Sequence, residues 1–235
     1  MNIKYLLLIT LILSLPVQTQ AEIEPTSAVT HLIKSKQDNS DATFESYLQK
    51  IQDGWATVHY HTADNKKSVE FEALSKLAEN FARQFPDRAE PLIWEGIILS
   101  TWAGVEGGFG ALSKVKQARS LFETALSIDS LALDGSAYTS LGSLYYQVPG
   151  WPISFGSDKK AKQLLEKALS ISPDGIDANY FYADFLIQSE GDYNHAKIYL
   201  EKAQHASPRP NRSLEDEGRH EQIRKKINLV LKNIN

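Results

Sequence analysis

Residues 177–210 read DANYFYADFLIQSEGDYNHAKIYLEKAQHASPRP, and this stretch constrains the fold more tightly than any other. Apolar or small residues fall at Tyr180, Ala183 and Ile187, then at Ala196, Leu200 and Ala203, with Gly191 between the runs and Pro208 after them. Steps of three, four and seven residues place each set on one face of a helix. A glycine between the runs ends the first helix and lets the chain turn, and the proline stops the second. The segment therefore predicts two antiparallel amphipathic helices. The same spelling returns upstream, with Tyr138, Leu141, Gly142 and Tyr145 on one helix and Ala161, Leu165 and Ala168 on the next, closed by Pro173. A third copy has Gly96 in its first helix and Ala118, Phe122 and Ala125 in its second. A recurring pair of helices means a stack in which each unit buries its face only against a neighbour.

Residues 177–210 resemble a tetratricopeptide repeat over its full length. In that family an aromatic opens helix A, a small residue lies near its middle, and a Gly-Asp-Tyr-like turn follows. Helix B carries small, large and small residues before a proline. Tyr180, Ala183, Gly191 to Tyr193, Ala196, Leu200, Ala203 and Pro208 occupy those slots, and Asp184 departs from the usual glycine or alanine. The resemblance implies an all-α, right-handed solenoid of antiparallel helix pairs with a C-terminal capping helix. The repeat domain spans residues 41–210, with units at about 41–86, 89–130, 135–174 and 177–210. Residues 22–40 are polar and irregular and are expected to form a flexible arm with at most a short helix near Val29–Ser35. Residues 211–235 are expected to supply a linker and then a capping helix with an apolar stripe of Ile223, Ile227, Val230 and Leu231.

Two units are longer than the repeat requires. From Gly142 to Ala161 is 19 positions, against 12 from Asp184 to Ala196, so seven extra residues lie around VPGWPISFG. From Gly96 to Ala118 is 22 positions, and the excess is AGVEGGFGALS. Both are expected to enlarge the turn between helices A and B. Glu95, beside Gly96, occupies a slot that is normally apolar.

Residues 1–21 read as a cleavable secretory leader. Lys4 gives a short positive start, YLLLITLILSL an apolar core, and Thr19-Gln20-Ala21 small residues before the cut. The apolar run ends at Pro16, short of a membrane span, so no stable membrane insertion is expected after cleavage. The chain has no cysteine, which removes both a lipid-anchoring cysteine and any disulfide. The expected location is the periplasm or the medium. A net charge of -4 offers no concentrated basic surface for nucleic acid.

No cofactor, metal or catalytic constellation is read from the sequence. His59 and His61 are two apart, which on a helix points them to different sides, and His195 falls on an outer face. No nucleophile elbow, zinc-protease helix motif or phosphate-loop lysine is spelled out, although GGFGALSK superficially suggests a phosphate loop. Glu215, Asp216 and Glu217 read as solvated linker acids. Arg219, Arg224, Lys225, Lys226 and Lys232 read as the solvated face of the last helix. An enzyme would need a histidine with a carboxylate in hydrogen-bond reach near Trp151.

Aromatic residues supply the remaining signal. Trp94, Trp102, Phe109, Tyr146, Trp151, Phe155 and Tyr182 crowd the A helices and the enlarged turns and are the candidate contact residues. Trp151 and Phe155 have no role in the repeat itself, and Pro149 and Pro152 restrict the backbone that carries them. The sequence around Pro152-Ile153-Ser154-Phe155-Gly156, a Pro-x-x-Phe-Gly turn before a Lys-Ala helix, resembles exported tetratricopeptide proteins that accompany TRAP-type transporters as their T-component. Two functions follow: a non-catalytic scaffold that binds a protein partner in the cell envelope through its concave face and the enlarged aromatic turns, or a module for a small apolar or carboxylated solute that serves a TRAP-type transport system.

Overall fold

In a computed structural model, the structure describes residues 27–234, with side-chain surroundings from residue 41 except at Phe109. The leader expected at 1–21 lies outside the described residues. Helix α1 (Ser27–Ala56) runs into a single π-helical turn at Thr57–His61, and α2 (Asp64–Gln84) follows. Then come α3 (Ala89–Glu106), α4 (Gly108–Ile128), α5 (Ala132–Gln147) and α6 (Asp158–Ile171). Helix α7 (Ile176–Phe185) ends in a second π turn at Leu186–Glu190, and α8 (Tyr193–Gln204) and α9 (Ser213–Ile234) complete the chain. No β-strand forms among the described residues, and none of their helices is long and apolar enough to cross a membrane. Residues 42–235 form one compact unit.

The architecture is an all-α repeat solenoid. From α2 to α9 each helix packs on the next, and α3, α5 and α7 also touch in series, as the first helices of stacked pairs do. The small-large-small slots are the core of every pair: Ala118, Phe122 and Ala125, then Ala161, Leu165 and Ala168, then Ala196, Leu200 and Ala203, each 0% exposed. Glycine is needed opposite the large members. A Cβ on Gly96 would stand 2.6 Å from the Phe122 ring, and one on Gly142 would stand 2.8 Å from Leu165. Burying each such Phe or Leu contributes about 1.5–3 kcal/mol. In the first pair, Phe44, Leu48, Ile51 and Trp55 of α1 meet Phe71, Leu74 and Phe81 of α2.

Three segments differ from the reading of the sequence. Residues 27–40, expected as an irregular arm, belong to α1, since no glycine or proline interrupts the chain between Ser27 and Gly54. The expected linker after Pro210 shrinks to two residues, because α9 starts at Ser213 with Glu215 and Asp216 in its first turn, where the helix dipole favours acids. Gly218 there is a site of close approach and not a break: a Cβ on it would lie 2.4 Å from the Tyr60 ring. The expected enlarged turn between α3 and α4 is absent as a loop. The extra residues lengthen both helices, and two adjacent glycines, Gly107 at φ 66° and Gly108 at φ 61°, reverse the chain.

Between α5 and α6 the excess is a true loop. Val148–Ser157 is tied down by backbone hydrogen bonds from Gly156 to Pro149 (3.0 Å), from Ser157 to Tyr145 (2.7 Å), and from Ile153 and Ser154 to Gly150 (both 3.1 Å). The Trp151–Pro152 peptide is cis.

Candidate binding cavity

The first helices of the four pairs turn one face inward, and α9 lies across it. Tyr60 donates from its hydroxyl to Gln222 of α9 at 3.4 Å, and the Gln49 side chain donates to the Asn211 carbonyl at 2.7 Å, so the C-terminal segment reaches the first pair. Ile223 and Val230 of α9 are fully buried, while Leu231 is exposed. What remains of the inner face is a cavity of about 610 Å³.

One end of it is aromatic and charged. Trp55 and His59 stack at 4.9 Å between ring centroids, and Trp55 meets Trp94 edge-on at 5.9 Å. Arg219 is buried against Tyr180 and Phe181, at 4.5 and 4.8 Å from their ring centres. Its Nε donates to Asp177 Oδ1 at 2.7 Å. Arg209 Nη1 donates to Asp177 Oδ2 at 2.6 Å, and Arg209 Nε donates to Asp216 Oδ1 at 2.6 Å. Burial would raise the Asp177 carboxyl, but Arg209, Arg219 and Arg212 outweigh it and hold the group far below the usual carboxylate range. Removing one member of such a buried set leaves an uncompensated charge and costs about 3–5 kcal/mol. His59 is pushed down to about 4, first by burial and then by Arg219 and Lys67, so it is neutral near pH 7.

Asp184 now has a reason to depart from the repeat. It accepts from the Tyr146 hydroxyl at 2.6 Å and from Gln188 at 2.7 Å, and it pairs with Lys226 of α9. Burial, then Asp184, raises the Tyr146 phenol well above its ordinary value. The carboxylate therefore ties α7 to α9.

The other end of the cavity is walled by α3, α4 and α5. Along α5 a polar stripe of Ser136, Thr139, Ser140, Ser143 and Gln147 faces it, opposite apolar groups that include Ile97, Val115 and Phe122.

Of the seven aromatic candidates, Trp94 lines this cavity. Trp102 sits between α2 and α4, donating to Ser68 at 3.0 Å beneath the Lys114 ammonium at 4.1 Å. The Phe109 side chain lies outside the described residues. Tyr146 reaches the cavity only through Asp184. Trp151 is 90% exposed on the outer loop, and Phe155 packs inward from that loop on Tyr145 (5.4 Å) and Arg119 (5.0 Å). Tyr182 is core between α7 and α8, edge-on to Tyr199 at 4.7 Å. The acids and the arginine expected in solvent are placed differently: Glu215 is 1% exposed, Asp216 and Arg219 7% each. Ser213-x-x-Asp216, the spelling of a helix start, marks where this segment begins to fold. The α5 stripe was likewise open to discovery from its helical spacing.

Paired helices, small-large-small cores and serial contact of the first helices define a helical repeat protein. A family model of the tetratricopeptide repeat matches residues 159–212, a segment that takes in α6 to α8 and the start of the C-terminal segment. No curated protein matches the chain.

Proposed function

We propose that this protein is a non-catalytic scaffold of the cell envelope that binds a protein partner, delivered to the periplasm or the medium by a leader at residues 1–21. Tetratricopeptide repeats are protein-interaction folds, and their inner face is the usual seat for a partner. Here that seat holds α9, so the partner surface is the outer Val148–Ser157 loop. The observation that carries this reading is Trp151 at 90% exposure beside Ile153 at 63%, on a loop held by four backbone hydrogen bonds. Exposed aromatic anchors on a rigid backbone lose little entropy on binding and are typical interface residues. A photo-crosslinking residue in place of Ser154, expressed in the native envelope, should give one discrete adduct. Adding Trp151→Ala and Ile153→Ser should abolish it while stability changes by less than about 0.5 kcal/mol. No adduct, or one indifferent to both substitutions, sinks the reading.

A second reading, a solute-binding accessory of a TRAP-type transport system, draws support from the cavity. Its volume of about 610 Å³ falls among those of small-ligand sites, about 300–1,000 Å³.

A further inference from the structure

We infer that the cavity binds a small zwitterion of zero net charge, an ammonium and a carboxylate beside an apolar group, as in a free amino acid with an apolar side chain. The inference rests on the solute-binding reading and is independent of the outer loop. Its first ground is the charge balance of the wall. Arg209 pairs with Asp216, Arg219 with Asp177, Arg212 with Glu215 and Lys226 with Asp184, while Lys67 at the edge of the wall pairs outward with the exposed Asp64. A net ion entering so balanced and secluded a site would add an uncompensated charge, which is costly away from water.

The second ground is a pair of polar atoms left without partners on that wall, which also carries the unpartnered His59 Nδ1. Glu215, 1% exposed, accepts from Arg212 Nε at 3.2 Å through Oε1, while its buried Oε2 has no hydrogen-bond partner. Trp94, 2% exposed, has a buried Nε1–H that donates to nothing. The two belong to one patch, since the Arg212 guanidinium joins Glu215 and lies 5.4 Å from the centre of the Trp94 ring. Buried polar atoms are nearly always paired, so an orphan donor and an orphan acceptor linked through one guanidinium call for a partner that supplies both functions. Ammonium satisfies Glu215, and carboxylate satisfies Trp94 Nε1–H together with the Nη groups of Arg212. The apolar group then faces Ile97, Val115 and Phe122.

The test is calorimetric titration of the chain without its leader with alanine, leucine and phenylalanine, each also as its N-acetyl derivative and its amide. At least one free amino acid should bind about tenfold tighter than both of its blocked forms, the scale of one charged hydrogen bond lost. Glu215→Gln should erase the preference over the N-acetyl form, and Trp94→Phe, which keeps the ring, should weaken the free acid more than the amide. A blocked form binding as tightly as the free one overturns the inference, as does no binding by any of the three. Native mass spectrometry of protein purified from its host separates this failure from that of the solute reading. A retained molecule without zwitterion binding spares the solute reading, and no retained molecule with no binding removes both.

Discussion

The α3–α4 and α5–α6 pairs each carry extra residues between their helices, and they use them in opposite ways. AGVEGGFGALS disappears into longer helices that meet at two positive-φ glycines, Gly107 and Gly108. VPGWPISFG stays a loop, because Pro149 and Pro152 lack backbone N–H groups that a helix would need, and Gly150 and Gly156 let two strands of backbone nearly touch. Glycine alone permits a sharp reversal and leaves helix on either side. Glycine with proline forbids the helix and forces a compact knot of turns. The two insertions therefore produce different surfaces, one helical and packed around Trp102, the other projecting Trp151 into solvent.

The largest effect that bears on this contrast is expected at Gly156. A Cβ there would stand 1.9 Å from the Val148 carbonyl oxygen, which is backbone and cannot swing aside. Gly156→Ala should cost about 3 kcal/mol in chemical denaturation, with faster amide exchange at Ser157. A loss below about 1 kcal/mol would show that the loop is as pliant as an ordinary surface turn.

The next effect tests the α3–α4 contact by pH. Glu95 is buried between α3 and α4, held only by a 3.5 Å hydrogen bond from Gln117, and its pKa is raised from 4.5 to about 7, first by burial and then by Glu79. Folded Glu95 keeps a proton that the unfolded chain has already released, so stability falls as pH rises from about 4.5 through about 7. Glu95→Gln should remove that decline and stabilise the protein at pH 8 by up to about 3 kcal/mol, with little change at pH 4. An unchanged slope of melting temperature against pH would place this carboxyl in water.

The smallest is Gly107→Ala. The site has open space around it, so only the φ of 66° resists a side chain. The expected loss is about 1 kcal/mol by thermal melting. A loss approaching that of Gly156→Ala would mean that the two turns are equally constrained, against the contrast drawn above.

Much of the stack was legible because its determinants are local. Ala161, Leu165 and Ala168 announce a buried face by spacing alone, and Gly142 announces a close approach by its place opposite them. The seat of α9 was not legible in that way. Arg219 looks like one more cation on a polar helix, since its partner Asp177 lies 42 positions away in another unit. Asp184 looked like a blemish in the repeat, since Lys226 and Tyr146 come to it from two other helices. The fate of the α3–α4 excess was hidden for a simpler reason: counting residues between slots measures how much chain is present and says nothing about whether it is coiled. Trp94 reached the cavity, whereas Trp102 and Tyr182 were drawn into packing, because aromatic composition does not tell an inner face from a core.

The bonds from α9 and its approach to α1 join residues 162 positions apart. In a plain repeat array each unit answers only to its neighbours, and the chain can fold or fray from either end. Here the last segment returns to the first pair, which turns a line into a ring. During synthesis the inner surface of the first pair stays uncovered until nearly the whole chain has left the ribosome, and closing so long a separation slows the final step. Once closed, the described helices lose their free end: loosening the first pair loosens the last, and removal of α9 opens the inner chamber.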